Sequence, residues 1–215
     1  MLRPLCLVSS LFLLSSIAWG SCPLKDGDLV FIKSQTEQAK LLKITTGSEW
    51  SHVGMAFKNS AGWEIIEAVQ PVKWTSLYSF VRRSHQLAFE VLRSNQPFDA
   101  KKVKSYATAQ LGKNYDLIFA WDNERWYCSE LVYKAYKKAS SVELGQLELI
   151  GDLKNIDQAE IRKEAKKRFE QYGLQYDHEK WKETPVITPV QMMRSSNLDE
   201  VVDSSRINEM VDCLK

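Results

Sequence analysis

The placement of four cysteines constrains this 215-residue chain more than any other feature. Cys6 lies in an apolar leader, Cys22 and Cys213 stand near the two ends of the remaining chain, and Cys128 stands alone between them. Disulfides persist in oxidising compartments and are rare in reducing ones. The compartment therefore decides how these thiols are read.

Residues 1 to 20 read MLRPLCLVSSLFLLSSIAWG, with Arg3 as their single charge. An apolar stretch runs from Leu5 to Ala18, and the small residues Ala18 and Gly20 lie two apart. This is the pattern of a secretory signal peptide, with cleavage expected after Gly20. The stretch is short for a membrane span, so an N-terminal anchor ranks second. A lipoprotein signal ending at Cys22 ranks lower still, because the bulky Trp19 stands where a leucine is wanted. No other segment approaches spanning length. The expected mature protein is one soluble domain, residues 21 to 215, exported to the periplasm or secreted. Under that reading Cys22 and Cys213 pair and tie the termini together, with two free thiols as the alternative. Cys128 is then left over, and a lone thiol in an exported protein needs a reason.

Composition excludes some classes. The chain is 44% hydrophobic and 26% charged, which rules out extended disorder and fibrous repeats. Its net charge is +2, too little basic excess for a nucleic-acid partner.

The patterning is that of an α+β protein. Strands are expected at 28–33, 51–57, 63–69 and 85–93, where β-rich residues alternate. Ser34-Gln35-Thr36-Glu37 reads as a capping box before a short helix that Gly47 ends. Ser76 to Arg83 reads as a helical turn. Asp99 caps a helix that runs to Gly112. Cys128 to Ala139 is a second helix, with Leu131, Val132, Ala135 and Tyr136 on one stripe. Asp157 caps a third, strongly charged helix ending at Gly173, and a short one is expected from Pro189 to Arg194. The sum is an antiparallel sheet with helices packed to one side.

Few residues are equipped for chemistry. His52 opens a short strand, and Glu67 sits fifteen positions on in the apolar context IIEAV. A carboxylate there is costly unless paired or hydrogen-bonded. A hairpin between the two strands would bring Glu67 beside His52. Cys128 stands at the N-terminus of a helix, where the dipole and free N–H groups stabilise a thiolate and can receive an oxyanion. Each residue also has a bland reading: a buried filler cysteine, a satisfied core histidine, a glutamate neutralising a lysine. Together they supply a nucleophile, a base and an orienting group. A zinc site from the same three residues lacks the C-x-x-C or H-E-x-x-H spacing that would support it, and nothing in the chain demands a cofactor. His85 reads as a rim residue and His178 as surface. Trp50, Trp63, Trp74, Trp121 and Trp126 are candidates either for a ligand groove or for core packing.

The pieces GDLVF (27–31), WSHVGMAF (50–57), IEAVQPVKWTSL (66–77), LGKNYDLIFAW (111–121) and YCSELVYKAY (127–136) occur in that order. With VELGQ (142–146) and TPVITPVQMM (184–193), the set resembles the YiiX/YebB-like family of permuted papain-like cysteine hydrolases, within the NlpC-type peptidase superfamily. The resemblance implies a circularly permuted papain-like fold, with the histidine strand ahead of the cysteine helix. By matching position it implies Cys128 as nucleophile, His52 as general base and Glu67 as the group that orients the imidazole. It further implies that the Cys128 N–H contributes to an oxyanion hole, with Tyr115 as an added donor. Asn114 stands where relatives often carry proline, a departure that removes a restraint on the loop but no catalytic group. The expected activity is cleavage of an amide in a small peptide, a cell-wall fragment or a related acyl amide. A lipid-directed acyltransferase or thioesterase, and a non-catalytic envelope-binding module, are the competing readings. The oligomeric state is left open.

Overall fold

The computed structural model describes residues 22–214, so the leader and Cys6 lie outside the described residues. The chain opens with strand β1 (Leu29–Ser34), helix α1 (Glu37–Thr46) and strands β2 (His52–Asn59), β3 (Gly62–Glu67) and β4 (Lys73–Ser76). A short helix α2 (Leu77–Val81) leads into the long strand β5 (Ser84–Ser94), followed by helices α3 (Ala100–Thr108) and α4 (Cys128–Ser140). The C-terminal part holds β6 (Glu148–Leu149), α5 (Ala159–Gln171), α6 (His178–Lys182), β7 (Pro185–Val186), α7 (Pro189–Met193) and β8 (Leu198–Asp203). Six strands form one sheet in the order β4-β3-β2-β1-β5-β8, every neighbouring pair antiparallel. This is the α+β architecture expected from the patterning.

Alternation along the strands produces two cores. Leu29, Phe31, Val53, Met55 and Phe57 face helices α3 and α4, packing with Val103, Leu131, Val132 and Tyr136. Their neighbours Val30, Ile32, Ala56, Phe89 and Val91 face the other way, against Leu77, Phe80 and Val81 of α2 and Met210 near the C-terminus. A period of two places successive side chains on opposite faces, and both sets are apolar here. The sheet is therefore covered on both faces, and the expectation of helices on one side needs correction. The second cover is short and irregular, which is why helical periodicity does not reveal it.

Several boundaries also differ from the sequence expectation. Helix α1 is capped by Thr36, whose hydroxyl accepts from the Ala39 N–H at 3.2 Å, and not by Ser34. Ser34 is still paired in β1, opposite Ser84, and so cannot start a helix. The helix capped by Asp99 stops at Thr108, leaving Leu111 exposed. Asp157 caps nothing: its carboxylate binds His178 at 2.8 Å and Lys182 at 3.3 Å, and α5 starts after Gln158. His178 is correspondingly held by Asp157 and Tyr176. Strands β4 and β8 are additions to the expected set. β8 (LDEVVD) carries Asp199, Glu200 and Asp203 on the sheet edge and pairs with β5.

The ends of the chain are joined. Cys22 and Cys213 form a disulfide with a Cα–Cα distance of 5.1 Å, closing a separation of 191 residues. Beside it Arg93 of β5 reaches back to the N-terminal segment. Its guanidinium donates to both Asp28 oxygens at 2.7 Å and to the Pro23 carbonyl at 2.8 Å. Loop-closure entropy makes so long a cross-link stabilising. We expect reduction, or the paired change of Cys22→Ser and Cys213→Ser, to lower unfolding stability by about 2–5 kcal/mol. Urea titration with and without reductant measures it, and an unchanged midpoint would contradict a structural role.

Candidate active site

The β2–β3 hairpin turns at Asn59 and Gly62, where φ is +120°, a value that favours glycine. It pairs Met55 with Ile66 and carries His52 and Glu67 at one end. His52 Nε2 lies 2.5 Å from Glu67 Oε2, in a buried contact. The ring rests 5.5 Å from Phe80. Gly54 makes this packing possible, because a Cβ there would lie 2.3 Å from the Ile65 side chain and 3.2 Å from Phe80.

Glu67 is fully buried and has further partners. Thr75 of β4 donates to Oε1 at 2.6 Å, and one Arg83 nitrogen reaches both carboxylate oxygens at 2.8 and 2.6 Å. A buried carboxylate needs this degree of satisfaction. Burial opposes its charge, but the bonds from His52 and then from Arg83 prevail and hold it down at about 2. Sequence reasoning misses both Thr75 and Arg83 as parts of the site. The available signal is the glutamate itself, since an acid in an apolar strand needs a cation. Arg83 lies sixteen residues on, at the α2–β5 junction, where only the fold brings it near.

Cys128 is the first residue of α4 and is buried with a free thiol. The helix start is satisfied by Glu130, whose carboxylate accepts from the Tyr127 N–H at 3.4 Å. Ser129, next to the thiol, is locked by its bond to the Ile187 carbonyl at 2.7 Å. The His52 imidazolium and the backbone N–H groups of Val53 and Ser129 stabilise the charged form of the thiol. Burial works against a thiolate, yet the imidazolium and these donors outweigh it and bring the thiol below its ordinary value. Burial likewise opposes the imidazolium, but Cys128 and then Glu67 lift it from 6.5 to about 9. The result is a line, Cys128–His52–Glu67–Arg83, buried from the thiol to Glu67 and reaching the cleft at Arg83, in which every group has an opposite neighbour. Such a line can hold a thiolate–imidazolium pair at neutral pH.

Tyr115 lies on the wall of the same site, held by backbone contacts. It bridges Trp126, its N–H donates to Gln70 Oε1 at 2.6 Å, and its carbonyl accepts from Tyr172 at 2.9 Å. Burial, with the neighbouring Cys128 and Asp116 charges, keeps its hydroxyl protonated far above the usual tyrosine range. Gln70 also donates to Asn114 at 2.8 Å. The expected loosening of this loop by Asn114 is therefore offset by the Gln70 clamp.

An open cleft of about 400 Å³ fronts His52, Tyr115 and Arg83, with Ser51, Gln70 and Asn114 among its polar walls. None of the five tryptophans lines it. Trp126 and Trp63 are buried, Trp74 packs edge-on against Phe57, and Trp121 lies against Tyr127 and Tyr133. The groove reading of these residues yields to core packing, the usual fate of large aromatics beside strands.

The electrostatics predict a specific pH profile. Iodoacetamide should alkylate Cys128 from below the ordinary thiol value, with a second change near 9 as His52 loses its proton. In Glu67→Gln the upper change should move down toward 6.5, because a support of the imidazolium is gone. Rates followed by mass spectrometry test this, and superimposable profiles would contradict it.

Comparison with known proteins points the same way. The sequence profile of the family described as permuted papain-like amidase enzymes, YaeF/YiiX, C92 family, matches residues 23–202. The uncharacterized protein YiiX of Escherichia coli K12 is 31% identical over 172 residues, covering 79% of this chain and 82% of its own. A crystal structure from Escherichia coli O157:H7, described as that of the metalloprotein YiiX, superposes with a TM-score of 0.73 at 26% identity. It covers 84% of this chain and 97% of its own. The metal belongs to that protein's description. Among the described residues here, no three His, Cys, Asp or Glu side chains converge to hold a metal. Glu67 sits behind His52 with both oxygens engaged, so Cys128, His52 and Glu67 do not face one point. The residues present do not fit a metal centre. The family match spans most of the chain, and the chain belongs to the YaeF/YiiX family of permuted papain-like amidases.

Proposed function

We propose that the protein is an exported cysteine amidase that cleaves an amide through an acyl-enzyme on Cys128. The observation that carries this reading is the buried His52–Glu67 contact, with the Cys128 thiol electrostatically coupled to the same imidazole and His52 bordering an open cleft. His52 accepts the thiol proton and Glu67 keeps the imidazole oriented and charged. Sγ attacks the carbonyl carbon, and the oxyanion takes hydrogen bonds from the Cys128 N–H at the start of α4 and from the Tyr115 hydroxyl. The intermediate collapses, and the leaving amine takes the proton from His52. Water, deprotonated by the same imidazole, then attacks the thioester, releases the acid and restores the thiol.

The cleft wall is largely apolar surface, and the hydrogen-bonding side chains on it, Ser51, Gln70 and Asn114, support a substrate that carries amide groups, such as a cell-wall peptide. Export is supported by the Cys22–Cys213 disulfide, a bond at home in an oxidising envelope compartment. A purely binding module would have no use for a line of costly buried charges ending in a thiol.

Cys128→Ala and His52→Ala should each abolish turnover of a cell-wall peptide mixture, while Glu67→Gln should lower kcat by roughly 10- to 100-fold. Product analysis by mass spectrometry reads the outcome. Full activity in Cys128→Ala would remove the mechanism.

A further inference from the structure

Arg83 is where the line from Cys128 meets solvent. Its side chain is 39% exposed, whereas the Glu67 that it holds has no exposed surface. Both of its bonds to Glu67 run from one nitrogen, Nη2. Nε and Nη1 have no hydrogen-bond partner among the described residues. A guanidinium carries five N–H donors in a planar fork, so it can hold one carboxylate and still present donors to a second. The group is also held in place, with its carbon 5.1 Å from the centre of the Phe80 ring. Charge in the cleft is one-sided. Among the described residues that border it, Arg83 is the only lysine or arginine, and there is no aspartate or glutamate.

The order of the groups gives a direction. Glu67 engages His52 Nε2, which leaves Nδ1 for the thiol proton and for the leaving amine. A leaving group therefore starts at Nδ1. Arg83 lies on the side away from the thiol, one imidazole ring and two contacts of 2.5 and 2.6 Å further on. At about 3.5 Å per extended residue, that is the reach of roughly two residues, or of one residue with a long side chain. From the free donors and this direction, and resting on the acyl-enzyme reading above, we infer that Arg83 binds a carboxylate on the leaving-group side of the scissile amide. The substrate class is thereby narrowed to amides whose amine portion is acidic. The carboxylate comes from a side chain of glutamate length or from the C-terminus of a two-residue leaving group, since the α-carboxylate of a single leaving amino acid falls short. Arg83 then holds two carboxylates, Glu67 through Nη2 and the substrate through Nε or Nη1. It determines specificity as well as positioning the line.

Acyl transfer isolates this side of the site. Cys128 is acylated with the p-nitrophenyl ester of N-acetylalanine, and the acyl-enzyme is offered amines that occupy the leaving-group side. In acylation the Sγ–C bond forms, the ester C–O bond breaks, p-nitrophenolate leaves with the electron pair, and the proton on His52 is released to water. In transfer the amine nitrogen attacks the thioester carbon, its proton passes to His52, the C–S bond breaks and Sγ leaves with the electron pair. Two isosteric pairs compete for the acyl group: glutamic acid α-amide against glutaminamide, and glycylglycine against glycylglycinamide. Mass spectrometry reads the product ratio within each pair, with Cys128→Ala as the blank. The wild type should favour the acid member of at least one pair about tenfold, the size of a charge-assisted hydrogen bond at a partly exposed site. The favoured pair tells a side-chain carboxylate from a terminal one. Arg83→Gln weakens the nucleophile toward both members of a pair alike, so the ratio is free of that loss, and it should fall to about one. Should Arg83→Gln not fold, the wild type carries the test, because raised salt should shrink its preference. A wild-type ratio of about one in both pairs, an unchanged ratio in Arg83→Gln, or a ratio indifferent to salt would overturn the inference. No nitrophenolate release dependent on Cys128 would instead overturn the cysteine mechanism, so the two failures are distinguishable.

Discussion

The site depends on one buried carboxylate. Glu67 has no exposed side-chain surface, and an isolated charge in that position would be strongly unfavourable. It is held by three donors from three elements: His52 at the start of β2, Thr75 in β4 and Arg83 just before β5. Burial raises the stakes of every link, because weak screening makes each partner's charge count. The carboxylate stabilises imidazolium, and imidazolium stabilises thiolate. Breaking the line at Arg83 or Glu67 therefore reaches the sulfur without touching it. Arg83 is a positioning residue in this scheme, since it acts through Glu67. Its guanidinium also borders the open cleft.

The fold is arranged to keep this line rigid. β2 is central, with β1 and β3 on either side, so His52 cannot shift without moving the sheet. On one face α4 carries Cys128 to the strand end, and its side chains pack with Val53, Met55 and Phe57 of β2. On the other face Phe80 of α2 lies beneath the imidazole. The loop before α4 is tied down by Asp116, which is fully buried and accepts from the Ile118 and Ala120 N–H groups. Lys134 anchors the same loop through the Asp122 carbonyl at 2.6 Å, while its ion pair with Glu130 holds the helix start. The disulfide closes the far end of the molecule and fixes the C-terminal segment that covers the second face.

Much of this is legible from sequence because it is local. Alternation in the strands, glycine at helix ends and a cysteine at the head of an apolar stripe all obey short-range rules. The pairing of Cys22 with Cys213 is legible because two cysteines stand at the ends of a chain that reads as exported. Arg83 and Thr75 are not legible, because each acts across the fold. Arg83 sits in an RRSH stretch that reads as ordinary surface charge. The acidic edge strand β8 escapes because LDEVVD does not alternate and only Val202 of it is fully buried. The five tryptophans stand near the right motifs in sequence, and of the two readings open to them core packing prevails, since none lines the cleft.

The central claim is that the buried line keeps Cys128 ionised while His52 is protonated. The most direct measurement is a titration of thiolate ultraviolet absorbance, with Cys128→Ser subtracted as the reference, since Cys128 is the free thiol among the described residues. The account predicts that the thiolate midpoint falls below the ordinary thiol value and that Glu67→Gln shifts it upward. A wild-type midpoint at the ordinary thiol value of about 8.5 would contradict it.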